Sequence, residues 1–142
     1  MAELLANVTL RKNGGGEAKG ADALKGKIVG LYFSAHWCWP CLKFTPKLKE
    51  FHDKVKADFE VVFVSRDSSK EECENYLKES HGEWYYLPFD DEQILLLKEK
   101  YEISGIPTLV IIKPDGTVIT KSGREDVEQK TPETAVQQWR ST

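Results

Sequence analysis

The sequence predicts an α/β domain with a mixed central β-sheet flanked by helices on both faces. Three observations carry this expectation. Lys27–Ser34 and Phe59–Val64 are apolar runs with little alternation, the pattern of strands covered on both faces. Between them Phe44, Leu48, Phe51 and Val55 recur at helical steps, marking one face of a helix. Strand, helix and strand in that order imply parallel pairing through a right-handed crossover. Further on, Thr108–Lys113 and Thr117–Lys121 flank Pro114-Asp115-Gly116, whose residue types favour a tight turn and hence an antiparallel hairpin.

The elements follow in chain order. Residues 4–11 form a weak strand candidate of mixed polarity. Lys12–Gly20 holds Gly14-Gly15-Gly16 and reads as a loop or hairpin tip. No Gly-Lys-Ser/Thr follows these glycines at phosphate-loop spacing, so they read as a turn. The helix after the first buried strand runs from about Trp39 to Lys56, with Pro46 expected to kink it. Ser69-Lys70-Glu71-Glu72 resembles a capping box and opens a helix reaching about Ser80. Asp90 or Asp91 opens another, ending near Tyr101. Thr131-Pro132 starts the last helix, through Trp139, with proline at its first position. Neither an internal repeat nor a low-complexity linker interrupts the chain, and one domain is expected over residues 1–142.

A chain of 142 residues can build a core without disulfide staples. Its net charge of −3 offers no basic footprint, so no nucleic-acid partner is expected. The apolar runs fall far short of the roughly 20 residues that span a bilayer, so no membrane partner is expected either. Met1-Ala2-Glu3-Leu4-Leu5 lacks the character of a secretory signal. Three cysteines leave at least one free thiol, which suits a reducing compartment. The expected location is the cytoplasm, and the nucleus besides.

The chemistry centres on Ala35-His36-Trp37-Cys38-Trp39-Pro40-Cys41, between a buried strand and a helix start. Two cysteines three residues apart on a first helical turn can close a disulfide with little rearrangement. The helix N-terminus aims free N–H groups and partial positive charge at the first sulfur, which favours the attacking thiolate. Pro40 suits a first helical turn and stiffens the loop between the sulfurs. Half a zinc site is the competing reading. Zinc takes four ligands, and Cys73 has no nearby cysteine or histidine partner, so no metal is expected. Gly105-Ile106-Pro107-Thr108 immediately precedes a strand. A cis Pro107 facing the sulfurs would present the Ile106 backbone to an extended substrate, whereas an ordinary proline also fits a strand's first position; the tetrapeptide leaves both open.

Taken together, Tyr32-Phe33-Ser34-Ala35, Trp37-Cys38, Pro40-Cys41 and Phe44-Thr45-Pro46 resemble the thioredoxin superfamily, in particular its nucleoredoxin and tryparedoxin branch. His81-Gly82-x-Trp84, Leu87-Pro88-Phe89, Ile106-Pro107-Thr108-Leu109, Val118-Ile119-Thr120 and Gly123-Arg124 fit the same branch. The resemblance implies a thioredoxin fold and thiol–disulfide oxidoreductase chemistry. It implies Cys38 as nucleophile, Cys41 as resolving cysteine and a cis Pro107. Trp37, Trp39, Pro40, Ile106, Tyr32 and Arg124 are the expected supporting or substrate-contacting residues. The chain departs from the family's usual pattern in two places. Cys-Pro-Pro-Cys is here Cys38-Trp39-Pro40-Cys41, which adds an exposed aromatic. Arg66 follows Ser65 where tryparedoxins carry a tryptophan near their bis-glutathionyl substrate, which argues against a dedicated tryparedoxin. Where thioredoxins bury an aspartate, this chain carries Tyr32, as the tryparedoxin branch does, so proton removal from Cys41 must use another base or water.

Among the remaining residues, Cys73 lies four before Leu77 and reads as a small buried hydrophobe, with an exposed regulatory thiol as the alternative. His36 reads as a solvated loop histidine, or as one that tunes the thiolate. Trp37 is expected to pack the active-site loop. Arg124 is balanced between the active-site surface and a surface ion pair.

The expected activity is reduction of disulfide-containing protein substrates by a monomer. No cofactor is needed, because the cysteine pair carries two electrons. An upstream reductant, glutathione or a thioredoxin reductase, must regenerate it. The alternative is a redox-gated binding module with little turnover. A peroxidase is disfavoured, because Ala35 stands where peroxiredoxins place a threonine.

Overall fold

The computed structural model describes residues 5–113 and 115–142. Pro114 of the expected turn and Leu4 of the first expected strand lie outside them. Seven strands form one sheet in the order β2-β1-β5-β4-β3-β6-β7. They are β1 (Thr9–Lys12), β2 (Glu17–Lys19), β3 (Ile28–Ser34), β4 (Phe59–Ser65), β5 (Tyr85–Tyr86), β6 (Thr108–Ile112) and β7 (Val118–Thr120). The helices are α1 (Gly20–Ala23), α2 (Trp39–Val55), α3 (Lys70–Ser80), α4 (Gln93–Lys100), α5 (Gly123–Gln129) and α6 (Pro132–Ser141).

The central pair β3 and β4 is parallel and in register from Ile28↔Phe59 to Ser34↔Ser65, as the crossover through α2 requires. Alternation explains why both strands read as unbroken apolar runs. Tyr32, Phe59, Val61 and Phe63 point to one face, where α2, α3 and α6 bring Phe44, Leu48, Tyr76 and Trp139. Val29, Leu31, Phe33, Val62 and Val64 point to the other, against Leu10, Leu24, Leu97 and Tyr101. Gly30 is required by this packing, since a Cβ there would lie 2.8 Å from the Phe59 ring. β6 joins β3 antiparallel, and β7 returns beside β6 after a tight turn. In that turn the Gly116 N–H donates to the Lys113 carbonyl at 2.8 Å, and the Thr117 N–H donates to Asp115 Oδ1 at 2.9 Å.

Helix starts follow their caps. Ser69 Oγ accepts from the Glu72 N–H at 3.2 Å, and Thr131 Oγ1 from the Thr134 N–H at 3.3 Å. α2 continues through Pro46 as one helix. Four elements are additional to those expected. β2 occupies part of the stretch read as a hairpin tip, behind Gly14, Gly15 and Gly16, which all have positive φ. β5 fills the gap between β1 and β4. The short α1 follows β2, and α5 follows β7.

His81 lies buried between Phe63, Tyr76 and Trp84, and its Nδ1 accepts the Trp84 indole N–H at 3.0 Å. Burial pushes its pKa down from 6.5 to about 3. The unfolded chain therefore binds a proton that the folded chain refuses. This contribution to stability is complete above pH 6.5 and is lost as the pH falls from there toward 3. Urea unfolding should show a loss of about 2 kcal/mol from this residue between pH 7.5 and pH 5. His81→Gln, which keeps an acceptor for Trp84, should show a correspondingly smaller pH dependence. An identical pH dependence in both proteins would place the titration elsewhere.

Candidate active site

β3 ends at Ser34, four residues bring the chain to Cys38, and α2 begins at Trp39. Cys38 is the N-cap, with extended backbone (φ −92°, ψ 108°), and its Sγ accepts the Cys41 N–H at 3.3 Å. The sulfur therefore occupies the place of a capping oxygen, with a helix-terminal donor positioned to hold negative charge on it. Cys38 and Cys41 are joined as a disulfide across a Cα–Cα distance of 5.2 Å, within the ordinary range for such a bridge. Cys38 keeps 6% of its surface exposed and Cys41 none. The Ile106–Pro107 bond is cis, and the Ile106 carbonyl oxygen lies 3.9 Å from Cys38 Sγ. Ile106 thus meets the cysteine pair from a distant part of the chain, with Pro107 next to it.

Two hydrogen bonds fix the loop before Cys38 to the segment that follows β4, and a third holds the carboxylate that receives one of them. The His36 N–H donates to Asp67 Oδ1 at 2.7 Å, and Asp67 Oδ2 accepts from Ser65 Oγ at 2.8 Å. The Trp37 indole N–H donates to the Arg66 carbonyl at 3.1 Å. Trp37 was expected to pack the loop; its N–H does anchor it, but the ring stays 60% exposed. The Arg66 carbonyl, just past the end of β4, holds the N–H edge, while the ring lines an open cleft with Ile103 and Ile106. Trp39 is 67% exposed, with the Lys43 ammonium 5.3 Å from its ring centroid. Two large aromatic rings therefore stand in solvent on either side of Cys38.

Beneath the pair lies a buried network of hydroxyls. Thr45 Oγ1 donates to the Cys41 carbonyl at 2.9 Å. Its single proton is thus committed, so the Tyr32 and Tyr76 hydroxyls, each 2.6 Å away, donate to it. Ser34 Oγ then donates to the Tyr76 hydroxyl. Burial raises the pKa of both tyrosines, which keeps them neutral. Tyr32 therefore supports the floor of the site and supplies no base. Spacing alone could not reveal Tyr76, Ser34 and Asp67 as members of this surround.

Other expected residues sit further off. Arg124 pairs its Nε with Glu128 at 3.7 Å and lies 6.0 Å over the Phe44 ring of α2. His36 is half-buried, with Nε2 2.8 Å from Glu79 and its ring against Tyr76. Cys73 is 2% exposed, as a small buried hydrophobe should be, and burial pushes its thiol up to about 11. At pH 8 iodoacetamide should modify Cys73 in the folded, reduced protein about a hundredfold more slowly than an ordinary exposed thiol, as mass spectrometry of timed samples can check. Rapid labelling would show it to be an exposed reactive thiol. Among the described residues, no three or more His, Cys, Asp or Glu side chains are grouped to hold a metal ion, and no helix is long and apolar enough to cross a membrane.

A sheet of this order with a Cys-x-x-Cys disulfide at the start of α2 and a cis proline opposite defines a class. The chain belongs to the thioredoxin-like family, which matches residues 26–118. Within that family it falls in the nucleoredoxin and tryparedoxin branch. It is 42% identical to human nucleoredoxin over 129 residues, 88% of this chain and 29% of the relative. It therefore spans less than a third of the length of the nucleoredoxins it matches. Among solved structures it is similar to thioredoxin from Wuchereria bancrofti, at 55% identity and a TM-score of 0.85 over 96% of each chain. Tryparedoxin I from Leishmania major is 34% identical, with a TM-score of 0.79 over 90% of each chain.

Proposed function

We propose that this protein is a thiol–disulfide oxidoreductase that reduces disulfides in protein substrates through Cys38 and Cys41. The observation that carries the reading is the placement of Cys38 Sγ at the N-cap of α2, against the Ile106 carbonyl. In the dithiol form the Cys38 thiolate attacks one sulfur of a target disulfide. A mixed disulfide forms, and the first substrate sulfur leaves as a thiolate that takes up a proton. Cys41, having lost its proton to water or another base, attacks Cys38 Sγ. The Cys38–Cys41 disulfide closes and the second substrate thiol is released. Two electrons have passed from the cysteine pair to the substrate, with no cofactor. Glutathione or a thioredoxin reductase returns them. The same reading has the protein act as a monomer, in the cytoplasm and the nucleus.

Insulin reduction coupled to dithiothreitol tests the proposal. The native protein should accelerate precipitation of the insulin B chain, and Cys38→Ser should not. Equal rates for the two would end the reading. The exposed Trp37 and Trp39 beside the disulfide support a second reading, a partner-binding surface gated by the redox state. Capture of partners that ignores Cys38→Ser, with negligible turnover, would favour it.

A further inference from the structure

Beside Cys38 a cleft of about 440 Å³ opens between the active-site loop and the segment before Pro107. Trp37, Ile103 and Ile106 give it apolar walls, and Arg66 and Lys98 bring its only charges. Both cations are half-buried, and neither has an ion-pair partner among the described residues. Asp67, the carboxylate next in sequence to Arg66, is committed to the His36 N–H and Ser65 Oγ. The cleft is thus a local positive site on a chain of net charge −3. It shares Ile106, whose carbonyl lies 3.9 Å from Cys38 Sγ, with the reacting centre.

We infer that this cleft selects target disulfides flanked by acidic side chains. The inference rests on the reductase reading and specifies its substrate class. A half-buried cation has lost part of its hydration without gaining a partner, so an arriving carboxylate finds a charge that water screens poorly. A polypeptide lying along Ile106 advances about 3.4 Å per residue, so an Asp or Glu within about three residues of the target cysteine reaches the cleft. The occupant is such a side chain of a protein substrate, with its stem against Trp37 and Ile103 and its carboxylate between Arg66 and Lys98.

The test uses two disulfide-linked peptides that differ only in carrying Glu or Lys around the cysteine. Single-turnover reduction by the dithiol protein gives the rate constants directly. The native protein should reduce the Glu peptide about tenfold faster or more, and this ratio should shrink between about 50 mM and 500 mM salt. The Arg66→Glu/Lys98→Glu variant should invert the ratio, whereas Arg66→Lys/Lys98→Arg should keep it. A ratio near one, a ratio indifferent to salt, or a preference surviving the charge reversal overturns the inference. A preference seen with oxidised glutathione over cystamine but absent from the peptides overturns the assignment to protein substrates. If neither peptide nor the uncharged bis(2-hydroxyethyl) disulfide is reduced, the reductase reading fails and takes the inference with it. Should the charge-reversed variant fail to fold, the salt dependence of the native ratio still decides.

Discussion

The Cys41→Ser variant should accumulate covalent complexes with its target proteins, and Cys38→Ser should accumulate almost none. Either substitution should lower turnover about a thousandfold or more, because neither leaves a complete exchange cycle. The difference between them comes from position. Cys38 caps α2, where the Cys41 N–H meets its sulfur, and part of its surface reaches solvent. Cys41 lies one turn into the helix and is wholly covered. Only the outer sulfur can meet a disulfide on another protein. The inner one can meet only Cys38, so removing it halts the reaction at the mixed disulfide. Non-reducing electrophoresis of lysates mixed with each variant reads this directly. Trapping by Cys38→Ser, or alkylation of Cys38 and Cys41 at equal rates in the reduced protein, would reverse the assigned roles.

The second large effect is on stability. Thr45→Val should cost about 2–4 kcal/mol in urea unfolding, far more than the near-identical shape of the two side chains suggests. Thr45 gives a proton to the Cys41 carbonyl and receives one from each of Tyr32 and Tyr76. Valine removes all three bonds and strands the Tyr32 hydroxyl in the core. A second change, Tyr32→Phe, takes away that stranded group. The double variant should therefore be less destabilised than the two single effects added together, by about 1–2 kcal/mol. Strict additivity would mean that the hydroxyls do not act as a unit.

Elements that bury side chains on their own account were legible. β3 and β4 show themselves because both faces are covered, and α3 and α6 because Ser69 and Thr131 cap them. β2 was hidden because Glu17–Lys19 buries little, and its ladder to β1 alone makes it a strand. β5 has only two residues, too few for any period. In α5, Val127 is the only buried apolar side chain, so no stripe could mark the helix. The site divides in the same way. Cys38, Cys41, Ile106 and Pro107 sit in motifs, and the sequence pointed to them. The Tyr76 hydroxyl reaches Ser34 across 42 residues of chain, and Lys98 comes beside Arg66 through the placement of α4; neither leaves a local trace.

The outermost strands of the sheet are β2 and β7, each three residues long. Unpaired backbone at a sheet's rim is a template on which foreign chains can polymerise, and a rim this brief, with Glu17 and Lys19 on one side, offers little to grow upon. On the proposed reductase reading, extended segments of protein substrates come to this same molecule. The rim offers such segments little to pair with, whereas the Ile106 carbonyl lies 3.9 Å from Cys38 Sγ. A sheet that ends in strands this short is a poor seed for edge-to-edge association of its own copies.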